Sequence, residues 1–370
     1  MKITLVEAIH LRLPDVKEVA DGTQDCLIVR LHTDAGLTGL GEVVSSSPVA
    51  RAVIEAPRSA PFRHGLAAAV EGMDAGDIGA VEIAMERDTA WYGPGGVVRH
   101  TMSGIDIALW DVRAKAAGLP LHKLLNPNAI DAVPCYASVL WPDRPDEVGE
   151  AARRFVEQGY RAVKFGWGPM GPDPHLDEEL VAAARQALGD DILLMVDAGR
   201  AWNLDPALER SERFGKYQIY WLEEPLRPDD VSGYGELSAA SGVPIAAGEA
   251  ITLVAEYEQL LSQGRIHFVQ PDLGRVGGIS GGERIAQLAS RSGARAVPHA
   301  FGTGVLLAAS AHWTAAGEEP LTEYTLAPSP LARDLVRHSM IFEAGELHLA
   351  DAPGLGVELD ADVVARYRVD

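Results

Sequence analysis

Polar side chains recur through the latter two thirds of the chain at the spacing of one strand-plus-helix unit. Lys164, Asp197, Glu223, Glu249, Asp272, His299 and Glu323 follow one another at about 23–33 residues, the length of one βα unit in an eight-fold barrel. Nearly every one closes a short β-rich run: 162–165, 192–197, 220–223, 244–249, 266–269 and 295–299. Amphipathic helices are expected between them. Residues 147–158, with Val148, Ala151, Ala152, Phe155 and Val156 as the apolar stripe, are an example. Repeated βα units mean parallel strands covered by helices. In a barrel the C-terminal strand ends converge on one mouth, whereas an open sheet would scatter these side chains along a line. The spacing therefore predicts a barrel with a polar mouth, starting near residue 133.

The first third obeys other rules. Residues 1–13 alternate weakly, 25–32 carry the β-rich run Cys26-Leu27-Ile28-Val29, and Gly36, Gly39 and Gly41 punctuate the next segment. This predicts a small antiparallel meander. A helix is expected over 103–117, with Ile105, Ile107, Ala108, Val112 and Ala116 near one face and Pro120 past its end. The tail from 345 returns to short β-like runs and is expected to pack back on this first region.

Composition excludes several classes. A formal net charge of −21 repels nucleic acid and anionic membranes, and a small anionic substrate would need a local cation. The two cysteines, Cys26 and Cys135, can build neither a disulfide framework nor a structural zinc site. Glu7, His10 and Arg12 interrupt any apolar signal core. The apolar stretch 305–316 is too short for a bilayer and contains His312. A soluble, cytoplasmic protein is expected. Gly93-Pro94-Gly95-Gly96 and the glycine run 277–282 lack the lysine and hydroxyl of a phosphate loop. With no HExxH and no CxxC, neither a zinc protease nor a thiol redox enzyme is expected, and no serine hydrolase either.

Asp197, Glu223 and Glu249 end three consecutive strands. Singly, each could be a solvated acid or a helix cap. Together they would repel one another unless a cation sat among them. Oxygen-only ligands suit Mg²⁺, with Mn²⁺ as an alternative. Asp272 and His299 end the next two strands. A carboxylate on one imidazole nitrogen fixes the tautomer and frees the other as a base. Lys164, across the mouth, supplies positive potential to an anionic substrate.

Lys164, Asp197, Glu223-Glu224-Pro225, Gly248-Glu249, Gln270-Pro271-Asp272 and Val297-Pro298-His299 together resemble the mandelate racemase subgroup of the enolase superfamily. Gly39-Leu40-Gly41-Glu42, Ala108-Leu109-Trp110-Asp111 and Pro353-Gly354-Leu355-Gly356 resemble its capping domain, linker helix and tail. The resemblance implies an α/β fold, a modified TIM barrel (β/α)7β with an N-terminal α+β capping domain. The cap would span 1–127, completed by the tail at about 340–370, and the barrel 128–339. It carries metal ligation onto Asp197, Glu223 and Glu249, base chemistry onto the Asp272–His299 dyad, and substrate-carboxylate binding onto Glu323. A homo-oligomer is expected. Two departures stand out. The family's second-strand Lys-x-Lys reads Lys164-Phe165-Gly166, which removes the second base that racemisation needs. Its Asp-x-Asn reads Asp197-Ala198-Gly199, which alters the support of metal or substrate.

The expected chemistry is a sugar-acid dehydration. His299 removes the proton α to the carboxylate of a small aldonic or aldaric acid. Lys164 and Glu323 stabilise the enediolate, and β-elimination of water gives a 2-keto-3-deoxy acid. Gly302-Thr303-Gly304 resembles both acid-sugar dehydratases and lactone cycloisomerases. A lactone cycloisomerase is the second reading, a racemase or epimerase the third, and a silent metal-binding module the last. Specificity is expected from residues 14–25 and 44–65.

Overall fold

The structure, a computed structural model, describes residues 1–338 and 340–369. Positions 339 and 370, where two of the expected domain limits fall, lie outside the described residues. The N-terminal region is an antiparallel meander of β1 (Ile3–Arg12), β2 (Asp25–Thr33) and β3 (Thr38–Val43). The Val97–Ala117 helix lies directly on it. Glycine makes that approach feasible: a Cβ at Gly39 would sit 2.0 Å from the Ala108 carbonyl oxygen, and one at Gly41 would sit 1.9 Å from that of Gly104. This helix starts six residues before the expected position 103. Val98 and Met102 extend its buried stripe, but Arg99, His100 and Thr101 obscure that periodicity in the sequence.

Eight parallel strands form the barrel: β4 (Ala132–Leu140), β5 (Ala162–Gly166), β6 (Leu193–Asp197), β7 (Trp221–Glu223), β8 (Ile245–Ala247), β9 (Phe268–Val269), β10 (Arg295–Ala296) and β11 (Thr322–Thr325). Each from β4 to β9 pairs with the next, and β11 pairs back with β4. Between β10 and β11 the described residues form no ladder. The Ala300 N–H crosses that seam to Glu323 Oε2, 2.5 Å away. A plug fills the interior, with one side chain from each strand or its edge: Tyr136, Ala162, Met195, Trp221, Ala246, Phe268, Val297 and Leu321. Layered side chains make the barrel a packed core rather than a pore. Polar chemistry is thereby confined to the mouth above Trp221 and Tyr136.

The tail divides between the two regions. The Glu346–His348 strand adds antiparallel to β4. Farther on, the Val369 N–H donates to the His10 carbonyl and Arg368 pairs with Glu7. Both cysteines are buried and unpaired.

Two buried carboxylates join cap to barrel, and a third joins cap to tail. Glu42 accepts from Thr303 N–H (3.0 Å), Thr303 Oγ1 (2.6 Å) and Leu306 N–H (2.9 Å) at the start of the Gly304–Ala316 helix. Asp106 accepts from Ser280 N–H (3.0 Å) at the start of the Gly278–Ser292 helix. Asp111 accepts from Leu40 and Leu355 N–H and from Lys115 Nζ. Two of these anions thus sit on helix N-termini, where free N–H groups and the helix dipole favour negative charge. The run Gly278-Ile279-Ser280-Gly281-Gly282 does have the GxSxG spacing of serine hydrolases. Yet Ser280 Oγ accepts from Trp110 Nε1 at this joint, 2.9 Å away, so it locks the interface.

Candidate active site

The seven polar residues converge on one cavity. Lys164, Asp197, Glu249, His299 and Glu323 line a hollow of about 260 Å³ together with Gly166. Glu223 and Asp272 lie fully buried against it. A larger hollow of about 770 Å³ lies elsewhere, lined by the Gly278–Ser292 and Gly304–Ala316 helices, and holds none of these residues.

Two depths are visible. Asp197 and Glu223 end β6 and β7 in register, and Glu249 comes just after β8. Each offers an oxygen within 4.8 Å of the others. Lys164 and Glu323 sit deeper: Lys164 is the third residue of β5 and Glu323 the second of β11. Lys164 Nζ donates to Glu223 Oε1 (2.5 Å) and pairs with Glu323 Oε1 (3.1 Å). Burial disfavours its charge, but the Glu223 and Glu323 carboxylates outweigh that and hold its pKa well above the ordinary lysine value. The two carboxylates thus hold Lys164 as a cation in this arrangement.

The trio has fewer donors than its charge requires. Burial first, then the Glu223 charge, pushes Asp197 well above the usual carboxylate range. Glu223 rises for the same first reason, opposed by Lys164. Three carboxylates that converge from three strand ends, their oxygens within 4.8 Å of one another, fit a divalent cation. All the candidate ligand atoms are oxygens, which favours a hard ion.

His299 Nδ1 lies 2.7 Å from Asp272 Oδ2, and the other Asp272 oxygen accepts from Gly274 N–H at 2.7 Å. Strands β9 and β10 stop short of these residues, which face each other as an isolated parallel bridge. With Asp272 oriented by a backbone donor, Nδ1–H is the donor in the dyad and Nε2 faces away from Asp272. Nε2 points into the cavity, 3.4 Å from Glu249 Oε2 and 4.0 Å from Glu323 Oε2. Burial opposes an imidazolium here, but the Glu249, Glu323 and Asp272 charges together raise its pKa from 6.5 to about 10. Burial works against the Glu323 carboxylate too. Lys164, His299, the Ala300 N–H and the Ser138 hydroxyl outweigh it and hold the group down to about 2.

Several supporting residues carry little signal in the sequence. Trp221 Nε1 and Gln270 Nε2 both donate to Glu223 Oε2, at 2.8 and 2.7 Å, and Ser138 Oγ donates to Glu323 at 2.6 Å. Trp221 lies two residues before Glu223, hence on the same face of β7; that offset is the only sequence signal. The two departures at 166 and 199 receive one explanation. A Cβ at Gly166 would lie 2.5 Å from Asp197 Oδ2, and a Cβ at Gly199 would lie 2.9 Å from the Trp167 ring. The Trp167 indole fills that space and carries the Arg200 guanidinium 4.8 Å from its centroid, and Arg200 in turn pairs with Glu224 at 3.3 Å. Trp167, Arg200 and Glu224 all have positive φ (57°, 64° and 38°), a strained arrangement for non-glycine residues that clusters at functional sites. Of the two stretches expected to carry specificity, 14–25 contributes Ala20 and Gly22 to the cavity wall. The stretch 44–65 contributes Val44 alone among the described residues.

A capped barrel whose mouth sets three converging acids beside a His–Asp pair and a buried lysine defines a class: metal-assisted enzymes that take a proton from beside a carboxylate. Comparison with known proteins places it further. The mandelate racemase/muconate lactonizing enzyme N-terminal domain matches residues 6–126, and the enolase C-terminal domain-like family matches residues 147–363. The chain belongs to the mandelate racemase subgroup of the enolase superfamily. It is 31% identical to the D-galactarolactone cycloisomerase of Agrobacterium fabrum, over 93% of this chain and 91% of that one. It is 36% identical to the L-talarate/galactarate dehydratase of Salmonella typhimurium, over 78% of this chain and 70% of that one. A crystal structure described as a predicted mandelate racemase from Rhodobacter sphaeroides superposes with a TM-score of 0.92 at 32% identity, covering 100% of this chain and 96% of that one.

Proposed function

We propose that the protein is a divalent-metal-dependent sugar-acid dehydratase. The observation that carries this reading is His299, held through Nδ1 by Asp272, with Nε2 aimed at the cavity between the acid trio and Glu323. Asp197, Glu223 and Glu249 would hold Mg²⁺. When bound, that ion supplies Lewis acidity to the substrate carboxylate and so acidifies the α-carbon. With Glu249 engaged as a ligand, His299 would lose the largest of the charges that keep it protonated, and Nε2 would be available as a base. His299 takes the α-proton, while Asp272 holds the imidazole in place and balances the charge it gains. Lys164 faces the substrate carboxylate, where negative charge accumulates as the proton leaves, and the ionised Glu323 holds Lys164 in that position. His299, now protonated, returns its proton to the β-hydroxyl. The C–O bond breaks, water departs, and the enol ketonises to a 2-keto-3-deoxy acid.

A lactone cycloisomerase is the second reading, favoured by the extent of identity to the Agrobacterium enzyme. It needs the same base and acid trio, with a ring oxygen as leaving group. In keeping with the family, the cap is taken as residues 1–127 with the tail from 340, the barrel as 128–339, the assembly as a homo-oligomer and the compartment as the cytoplasm. The test is to incubate aldonic acids, aldaric acids and their lactones with enzyme and Mg²⁺. Formation of a 2-keto-3-deoxy acid from an open-chain acid is expected. Consumption of lactones alone would move the assignment to the second reading.

A further inference from the structure

Two hollows run together at the mouth. The one that holds the catalytic groups is also walled by Val44, Val139 and Leu140. A second, of about 180 Å³, shares Val139, Leu140 and Phe301 with it and continues outward along Leu326 to Asp21. Cations occur in this combined wall only at the catalytic end, as Lys164 and His299. The far end carries one charge, and it is negative. Asp21 Oδ1 is already engaged by the Thr23 N–H (2.9 Å) and Thr23 Oγ1 (2.6 Å).

This wall suits one part of a sugar acid and not another. Carbons next to the carboxylate lie among polar groups. Farther along the chain, a hydroxyl would exchange water for Leu140, Phe301 and Leu326. An unpaired buried hydroxyl weakens binding by about tenfold or more. A second carboxylate would meet apolar surface and Asp21 with no cation to receive it. We infer that the substrate is a monocarboxylic acid, hydroxylated beside its carboxylate and apolar at its far end. A terminally deoxygenated aldonic acid fits this description, and an aldaric acid does not. The inference rests on the dehydratase reading and narrows its substrate class.

The test compares three six-carbon acids of matched configuration, across the configurational series: the aldonate, its 6-deoxy analogue and the corresponding aldarate. Mg²⁺-dependent binding is read by calorimetry and turnover by 2-keto acid formation. The 6-deoxy acid should exceed the aldonate about tenfold in kcat/KM, and the aldarate should fall about a hundredfold below it. Leu326→Arg should narrow the gap between aldarate and 6-deoxy acid at least tenfold. An aldarate that matches or exceeds the 6-deoxy acid in the wild-type enzyme overturns the inference. If no acid turns over but the 6-deoxy acid binds best, the dehydratase reading fails and the apolar far end stands. If no acid binds, both fail.

Discussion

Carboxylates are buried in two parts of this molecule, and the two parts treat them in opposite ways. At the joints that the cap makes with barrel and tail, Glu42, Asp106 and Asp111 are 0–3% exposed and each is met by backbone N–H groups. At the mouth, Asp197 and Glu223 are equally buried. There, however, three acids crowd within 4.8 Å of one another, and among the described residues Lys164 is the one lysine or arginine paired with them. Burial alone therefore does not mark a metal site. The mouth differs in its crowding, with three acids that share one lysine. The joint uses backbone dipoles where water would otherwise solvate a charge, whereas the mouth leaves charge for a cation to complete.

The sharpest way to break this contrast is to remove one charge from each part. Glu223→Gln should weaken Mg²⁺ binding and lower kcat/KM by about 10³-fold or more, with calorimetry and steady-state assays as readouts. Full activity of the wild-type enzyme in excess chelator would overturn the metal assignment. His299→Asn should lower turnover by about 10³-fold while Mg²⁺ affinity stays near the wild-type value. That split separates base from ligand within the same cavity. Asp111→Asn belongs to the joint. It should cost about 1–3 kcal/mol of stability in chemical denaturation and leave kcat nearly unchanged.

The smallest expected effect is a slope. Burial raises the Glu42 and Asp106 pKa values to about 7, from 4.5 and 3.8. The folded protein therefore holds these protons more tightly than the unfolded chain does. Their contribution is complete below the ordinary carboxylate values and is lost as pH rises through about 7. Stability curves for Glu42→Gln and Asp106→Asn should be flatter between about pH 4.5 and 7 than the wild-type curve. Unchanged slopes would mean that both groups are ionised throughout.

Much of the site was legible because a barrel turns periodicity in sequence into proximity in space. The spacing from Asp197 to Glu223 to Glu249 is enough to bring three oxygens together, and the further step to Asp272 and His299 yields the dyad. The bracing was hidden for physical reasons. Trp221 and Gln270 look like ordinary barrel residues until their N–H groups are seen to converge on Glu223 Oε2. The Trp167–Arg200–Glu224 chain depends on three residues in left-handed backbone, which no propensity anticipates. In the sequence Gly166 is only a missing side chain. In the structure, the place where its Cβ would stand abuts the Asp197 carboxylate.

That glycine makes the account's central claim testable: His299 is proposed to serve one face of the α-carbon, with no described residue proposed for the other. Lys164 is held as a cation between Glu223 and Glu323, and residue 166 has no side chain. The direct measurement tracks the α-proton of a substrate acid by NMR in D₂O with Mg²⁺. The α-proton signal should vanish only as the 2-keto-3-deoxy acid forms, or by exchange with retention of configuration. Accumulation of the α-epimer without loss of water would contradict the one-base account and reassign the protein as an epimerase.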